Sequence, residues 1–261
     1  CTHLSQFVPL LGEIFKNEWF VSGCISVHYK NMVFEGERVK AFAKLPDEES
    51  KITDIWMEKE DGTVVLTGSA GIGPNHQTSS LDNLMSKLDK TENLVILSEI
   101  NEGLEGNERF TVKIGFDQHM GDLYPFTLRN KLSVITEPMT WYNEAEGNSS
   151  PWGRPIIPIE MISVLTNYVG NPSNFKVKGP VIGLFANQEI KLFKGPLFVN
   201  EEYQIEKKII AVSQSKRVET YWCMTYVYDQ NKILVAECLL NQAFLKDSYE
   251  GYQEELKSIS G

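Results

Sequence analysis

The sequence predicts an α+β fold made of two tandem units, each an antiparallel sheet curled around one central helix. Two observations carry this expectation. First, the succession of elements in "SGCISVHYKNMVFEGERVKAFAKL" and "ITDIWMEKEDGTVVLTGSAGI" recurs in "GLFANQEIKLFKGPLFVNEEYQIEKKI" and "VETYWCMTYVYDQNKILVAECLLNQAF". Each passes from a strand through an apolar bend to a second strand and then a hairpin. Second, one nearly all-apolar helical stretch precedes each set, and a helix of that kind must be buried on most sides.

The stretches "THLSQFVPLLGEIFKNEW" and "PWGRPIIPIEMISVLTNY" align when Pro9 is matched to Pro158, which sets His3 opposite Trp152 and Ser5 opposite Arg154. Proline is tolerated where a helix begins, because its missing N–H would be unpaired there in any case. Val8, Leu10, Leu11, Ile14 and Phe15 make the first helix apolar, and Ile159, Met161, Ile162, Val164 and Leu165 the second.

The hairpin signals stand apart from the repeat: Asp61-Gly62 suits a tight turn with positive φ, and Asp229 to Asn231 is a comparable polar turn. Within "TYWCMTYVYD", strand alternation puts Tyr221, Cys223 and Val227 on one face and Trp222, Met224, Tyr226 and Tyr228 on the other. Between the copies the pattern predicts a short helix from about Leu81 to Leu88, started by Ser79 or Ser80, and a strand near Leu94 to Leu97. "GSAGIGPN" ends a strand and reads as a loop. A boundary near residue 100 divides the chain into units over 1–100 and 101–261, the first lacking its opening strand.

With 261 residues the chain has room for one large core or two ordinary ones, and no apolar run approaches the length of a membrane span. A formal charge of −10 and a pI near 5.0 argue against nucleic acid and anionic membrane as partners. A small apolar or acyl molecule is the expected ligand, and a homodimer is compatible with the repeat. The four cysteines, Cys1, Cys24, Cys223 and Cys238, lack metal or disulfide spacing and read as buried thiols in a cytoplasmic protein. Cys1 as the first residue also leaves open a lipid-anchored or processed terminus. No cofactor or metal motif occurs: there is no phosphate-cradling GxxxxGK, no dinucleotide glycine fingerprint and no HExxH.

Three stretches carry a family resemblance. "MGDLYPFTLRNKLSVIT" resembles a Gly-Asp opening strand, "GRPIIPIEM" a Gly-x-Arg-Pro-Ile lead-in to a central helix, and "SVHYKNMVFEGERV" the strand and bend that follow it. In their order and repetition the chain resembles a tandem, double hot-dog protein of the MaoC-like hydratase and dehydratase group. The resemblance implies reversible addition of water to an enoyl thioester by an Asp-x-Asn-Pro-x-His motif, in which a carboxylate and an imidazole handle the water and its proton. Backbone amides at the helix start would hold the enolate oxygen.

The matching stretch, "YNEAEGNSSPWGRPI", departs from that motif: Asn148 matches its asparagine, and the proline and histidine are missing. His3 is the candidate replacement acid/base, with Glu144 or Glu146 as its partner acid, and Asn148 and Arg154 are orienting groups. Trp152 and Trp141 would wall the pocket, amides from Ile157 to Glu160 would bind an oxygen, and Ile159 and Glu160 would line the ligand. The bland alternatives are a solvated His3, an Arg154 paired with an acid such as Glu160, and Ser149 and Ser150 acting as helix caps.

His28 is expected to be satisfied within a strand, and His76 and His119 to be exposed in loops. Lys191, Lys194, Lys207 and Lys208 are the lysines that would have to gather if a coenzyme A were bound. The rival function is a hot-dog binding or scaffolding protein without chemistry, and a third is a thioesterase using Glu13 or Glu160.

Overall fold

The computed structural model describes residues 2–47, 49–89, 91–106, 108–121, 124–135, 139–169 and 175–260. Its frame is one antiparallel sheet of nine strands in the order β2-β3-β4-β1-β6-β9-β8-β7-β5. The first copy supplies β1 (Gly23–Tyr29), β2 (Val39–Ala43), β3 (Ile52–Lys59) and β4 (Val64–Ile72). The second supplies β6 (Gly183–Leu192), β7 (Tyr203–Gln214), β8 (Val218–Tyr228) and β9 (Leu234–Leu245), with β5 (Phe110–Val112) outside β7. The two sets of four are laid out symmetrically about the β1–β6 pair, where Cys24 faces Lys191 and Ile25 faces Ile190. β5 has no counterpart beyond β2 among the described residues.

On the inner face of the sheet lie the two helical layers. A 3-10 turn (Thr2–Phe7) runs into α1 (Val8–Phe15) and α2 (Glu18–Ser22), and α5 (Ile159–Asn167) packs against that turn. Every residue from Ile159 to Thr166 is buried, as an all-round apolar helix demands. α1 is more one-sided: Val8, Leu11 and Phe15 are buried, whereas Leu10 and Ile14 are only partly covered. One core spans both copies, joining Leu4, Phe7, Ile25 and Met57 to Met161, Leu165, Ile190 and Ile205.

On the outer face α3 (Ser80–Met85) covers the β8–β9 region through Leu81, Trp222 and Leu239. It starts as the sequence suggests: Ser79 Oγ accepts from the Asp82 N–H at 3.0 Å and Asp82 answers by accepting from the Ser79 N–H, a reciprocal capping box. The faces of β8 fall as the alternation predicts, with Tyr221, Cys223 and Val227 in the inner clusters and Trp222 and Met224 under α3. Gly62 turns with φ 84°, as its hairpin requires, and Asp229 Oδ1 accepts from the Asn231 and Ile233 amides in the other.

Three local expectations fail. The stretch near Leu94 to Leu97 is not a strand but a buried turn, because Glu219 takes its amides: Oε1 accepts from Val95 N at 2.8 Å and Oε2 from Leu97 N at 3.0 Å. The supposed opening strand in "GDLYPFTLRNKLSVIT" contains α4 (Leu128–Leu132), because Thr127 and Asn130 form a second capping box. The edge strand is β5, further upstream. Finally, Gly68 to Ile72 of "GSAGIGPN" lie within β4, and Gly68 is needed there because a Cβ would stand 1.9 Å from the Ser26 carbonyl oxygen on β1.

Candidate functional site

The candidate residues fall at two places by the helix starts, and the sequence brings different groups to each. The lead-in to α5 is built from 3-10 turns at Thr140–Tyr142 and Gly147–Ser149. Ser150 shapes the loop, its Oγ donating to the Arg154 carbonyl at 2.7 Å and accepting from the Arg154 N–H. It is therefore a loop clasp and not a helix cap; Pro158 occupies the cap position of α5.

Trp141 and Trp152 meet edge to face at 5.7 Å, and Phe20 from α2 closes the group at 5.1 and 6.2 Å. Behind them Ile156, Ile157, Ile159 and Leu197 leave a void of about 10 Å³, at the lower limit of the space a water needs. The expected amide array is also partly used, since Ile157 N donates to Leu197 O at 2.7 Å. Trp19 and Phe20, with Leu192 and Pro196, close this space.

Arg154 is turned away from Glu160. Its guanidinium pairs with Glu201 at 2.6 Å and stacks 4.2 Å from the Phe198 ring, tying the α5 lead-in to the bend before β7. Asn148 lies exposed on the 3-10 turn. Glu144 is taken by Arg129 at 2.8 Å, and Glu146 accepts from Asn143 at 3.4 Å, so both proposed acid partners of His3 are engaged elsewhere. Glu13 is exposed and pairs with Lys16.

The second place is where the Thr2–Phe7 turn meets α5 and the segment around α4. His3 is partly buried there, 6.4 Å from the Tyr29 ring, and Tyr29 donates to Gln188 Oε1 at 2.9 Å. Glu160 and Ser163 of α5 and Ser5 of the turn itself are buried, at 1, 0 and 2% exposure. The Tyr124 hydroxyl lies 3.8 Å from Met161 Sδ, and the charge of Glu160 pushes Tyr124 upward in addition to its burial. Lys131 of α4 is 7% exposed.

Burial, reinforced by neighbouring positive charge including Lys131, holds the His3 imidazole at about 4, so the ring is neutral at pH 7. The unfolded chain, with a histidine near 6.5, takes up the proton first as the pH falls. Stability that rests on the neutral ring is therefore complete above about pH 6.5 and is lost between there and about pH 4. Melting curves across that window should show a steeper acid-side loss for the native chain than for His3→Gln.

His28 and His76 are held by hydrogen bonds within the sheet region. His28 Nδ1 bonds Asn187 Oδ1 at 2.8 Å, and Asn187 continues to Asn241. His76 is half-buried and not exposed as expected, because its Nε2 bonds the Leu192 carbonyl at 2.9 Å; His119 is exposed. Cys24, Cys223 and Cys238 are buried thiols, and burial pushes the latter two up to about 11. Cys1 lies outside the described residues. No group of three or more His, Cys, Asp or Glu suited to a metal occurs among the described residues, and no helix there is long and apolar enough to cross a membrane.

Of the lysines proposed to gather for a coenzyme, Lys207 and Lys208 line one cavity with Arg109, Glu105, Glu108 and Glu206, and Lys191 and Lys194 are not part of it. Lys191 bonds Glu189 at 3.1 Å, Lys194 is exposed, and Lys207 is 7% exposed on the inner face, opposite Thr225. Lys207 has no carboxylate within 4 Å among the described residues, and desolvation lowers its affinity for a proton. Because a buried unpaired charge is costly, Lys207→Met should raise stability by on the order of 1–3 kcal/mol, read from urea midpoints. Alternation in "QIEKKII" places Lys207 between Ile205 and Ile209, a signal that an inward lysine was present.

The chain superposes on a protein described as a MaoC domain dehydratase from Chloroflexus aurantiacus J-10-fl, with a TM-score of 0.58 over 92% of this chain and 80% of that one at 12% identity. This chain is a double hot-dog protein. The double hot-dog is also similar to a MaoC-like dehydratase from Rhodospirillum rubrum (TM-score 0.42, 13% identity, 58% and 97% of the two chains). A hot-dog protein of unknown function from Alicyclobacillus acidocaldarius matches over 93% and 86% of the two chains (TM-score 0.44, 12% identity). No family model and no curated protein matches the sequence.

Proposed function

We propose that this double hot-dog is a lyase-type enzyme that hydrates, dehydrates or isomerises a largely apolar enoyl or hydroxyacyl compound. Its site is the junction of the Thr2–Phe7 turn, α5 and the α4 segment. The observation that carries the reading is the neutral, partly buried imidazole of His3 at that junction. In the hydration direction His3 takes a proton from water as the oxygen bonds to the β-carbon; the α-carbon then gains a proton, and one water has been added. Glu160, buried on the first turn of α5, is the carboxylate of this site, and Tyr29 fixes one wall through Gln188. The filled α5 lead-in supports a single working site, with Arg154, Trp141 and Trp152 holding the scaffold.

That same filling favours the second reading, a binding or scaffolding protein that kept the fold without the chemistry. Mass spectrometry on the protein with paired enoyl and hydroxyacyl compounds, as thioesters and as free acids, separates the two. Gain or loss of one water is expected of the lyase; ligands retained unchanged would favour the binder. A unit boundary near residue 100 and a cytoplasmic setting, supported by three buried free thiols, belong to this proposal.

A further inference from the structure

The bend that joins β1 to β2 and the bend that joins β6 to β7 are built the same way. In the second copy the Glu201 N–H donates to the Phe198 carbonyl at 3.3 Å, and Asn200 sits at φ 65°. In the first the Glu37 N–H donates to the Phe34 carbonyl at 3.1 Å, and Gly36 sits at φ 85°. Phe34 is thus the counterpart of Phe198, and Val33 and Glu35 are those of Leu197 and Val199. The second bend is covered. Residues 155–157 run antiparallel beside it, with a bridge between Ile156 and Phe198; Ile157 N donates to Leu197 O at 2.7 Å and Val199 N to Pro155 O at 3.1 Å. The first bend is bare. Phe7 and Val8, which align with Ile156 and Ile157, are wound into the 3-10 turn and α1 and are buried in the main core. Among the described residues no hydrogen bond reaches Val33 O or the Glu35 N–H, and Met32 and Phe34 are 67 and 64% exposed.

We propose that the bend over residues 31–37 is a docking site for an extended segment of a partner protein, a proline followed by two β-branched residues. The segment adds to this bend as residues 155–157 add to the second one. Main-chain hydrogen bonds to Val33 O and the Glu35 N–H set its register, and its apolar side chains cover Met32 and Phe34. The partner need bring no cation. Lys59 already pairs with Glu37 at 2.8 Å and lies 5.8 Å from the Phe34 ring, the place that Arg154 takes on Phe198 and Glu201. A second copy of this chain is a poor occupant. Its own triplets of that kind are residues 155–157 and 180–182, and in each the last amide is committed: Ile157 to Leu197 O, and Ile182 to Ser248 Oγ at 2.9 Å. This surface is independent of the chemistry at His3.

The test is fluorescence anisotropy of a labelled peptide, Gly-Ala-Pro-Ile-Ile-Pro, titrated with the full chain; the peptide is the stretch over residues 153–158 with Arg154→Ala. Saturable binding is expected. It should weaken about tenfold or more when the second isoleucine is N-methylated, which removes the donor to Val33 O, and by a similar factor in Phe34→Ser. Because Phe34 is exposed, Phe34→Ser should melt with the native chain. No saturable binding, or binding that ignores the N-methyl group, overturns the site. Binding unchanged in Phe34→Ser also overturns it, since the peptide would then be displacing residues 155–157 at Phe198. Sedimentation of the chain without peptide separates the occupants. The same sedimentation for the native chain and Phe34→Ser supports a foreign partner, whereas a dimer that dissociates in Phe34→Ser makes a second copy the occupant and overturns the partner assignment.

Discussion

Glu219→Ala is expected to be among the most damaging single substitutions in this chain. The carboxylate is fully buried and takes three donors: the amides of Val95 and Leu97 and the hydroxyl of Tyr252, the last at 2.8 Å. It thereby fastens the segment between the copies, strand β8 and the C-terminal helix α6 (Tyr252–Ser260) to one another. Removing it strands buried donors at about 1–3 kcal/mol each, so a total near 3–5 kcal/mol is expected after partial relaxation. At this chain length such a loss lowers Tm by roughly 10 °C. Glu219→Gln retains one acceptor oxygen but turns an NH₂ group toward a donor, and should fall between the two. Thermal melts of the three proteins check the order, and an unaffected Glu219→Ala would mean that the segment is held by its apolar residues alone.

The largest functional effect should come from His3→Gln. If the imidazole transfers the proton, its loss costs roughly 10²–10⁴ in kcat, because glutamine fills similar space without a titrating nitrogen. Stability at neutral pH should change little. A fall in kcat with an intact melting curve is the pattern of a chemical role; loss of both would assign His3 to packing against Tyr29. Steady-state rates and melts on the same preparation distinguish these outcomes.

How far the sequence went can be seen in the residues themselves. Pro9 and Pro158 aligned two helices that lie together under one sheet, and the alternation of "TYWCMTYVYD" placed each of its clustered residues on the correct face. Those patterns are local and periodic, so they survive without knowledge of the partner elements. The failures share another cause. "NLVIL" has the composition of a strand, but Glu219, more than 120 positions away, takes its amides and leaves none for a ladder. Likewise "FTLRNKL" reads as a strand until Thr127 and Asn130 are seen to cap one another.

The candidate site is legible in part for the same reasons: the repeat sets His3 and Glu160 near the starts of the two helical stretches. The sequence offers Arg154 as an orienting group and Trp141 and Trp152 as pocket walls, but it does not show their partners, Glu201, Phe198 and Phe20, which come from distant stretches.

The central claim, that the His3 junction moves a proton on carbon, is tested most directly by deuterium wash-in. Hydration, dehydration and double-bond migration all exchange a proton at the carbon beside the carbonyl or at the end of the unsaturated unit. Incubation of the protein with enoic and hydroxy acids in D₂O, followed by NMR of the recovered compounds, reads that exchange without requiring net conversion. The account predicts deuterium on the substrate carbon with the native chain and none above background with His3→Gln. Equal incorporation by both proteins, or none by the native chain across acids and thioesters alike, would contradict it.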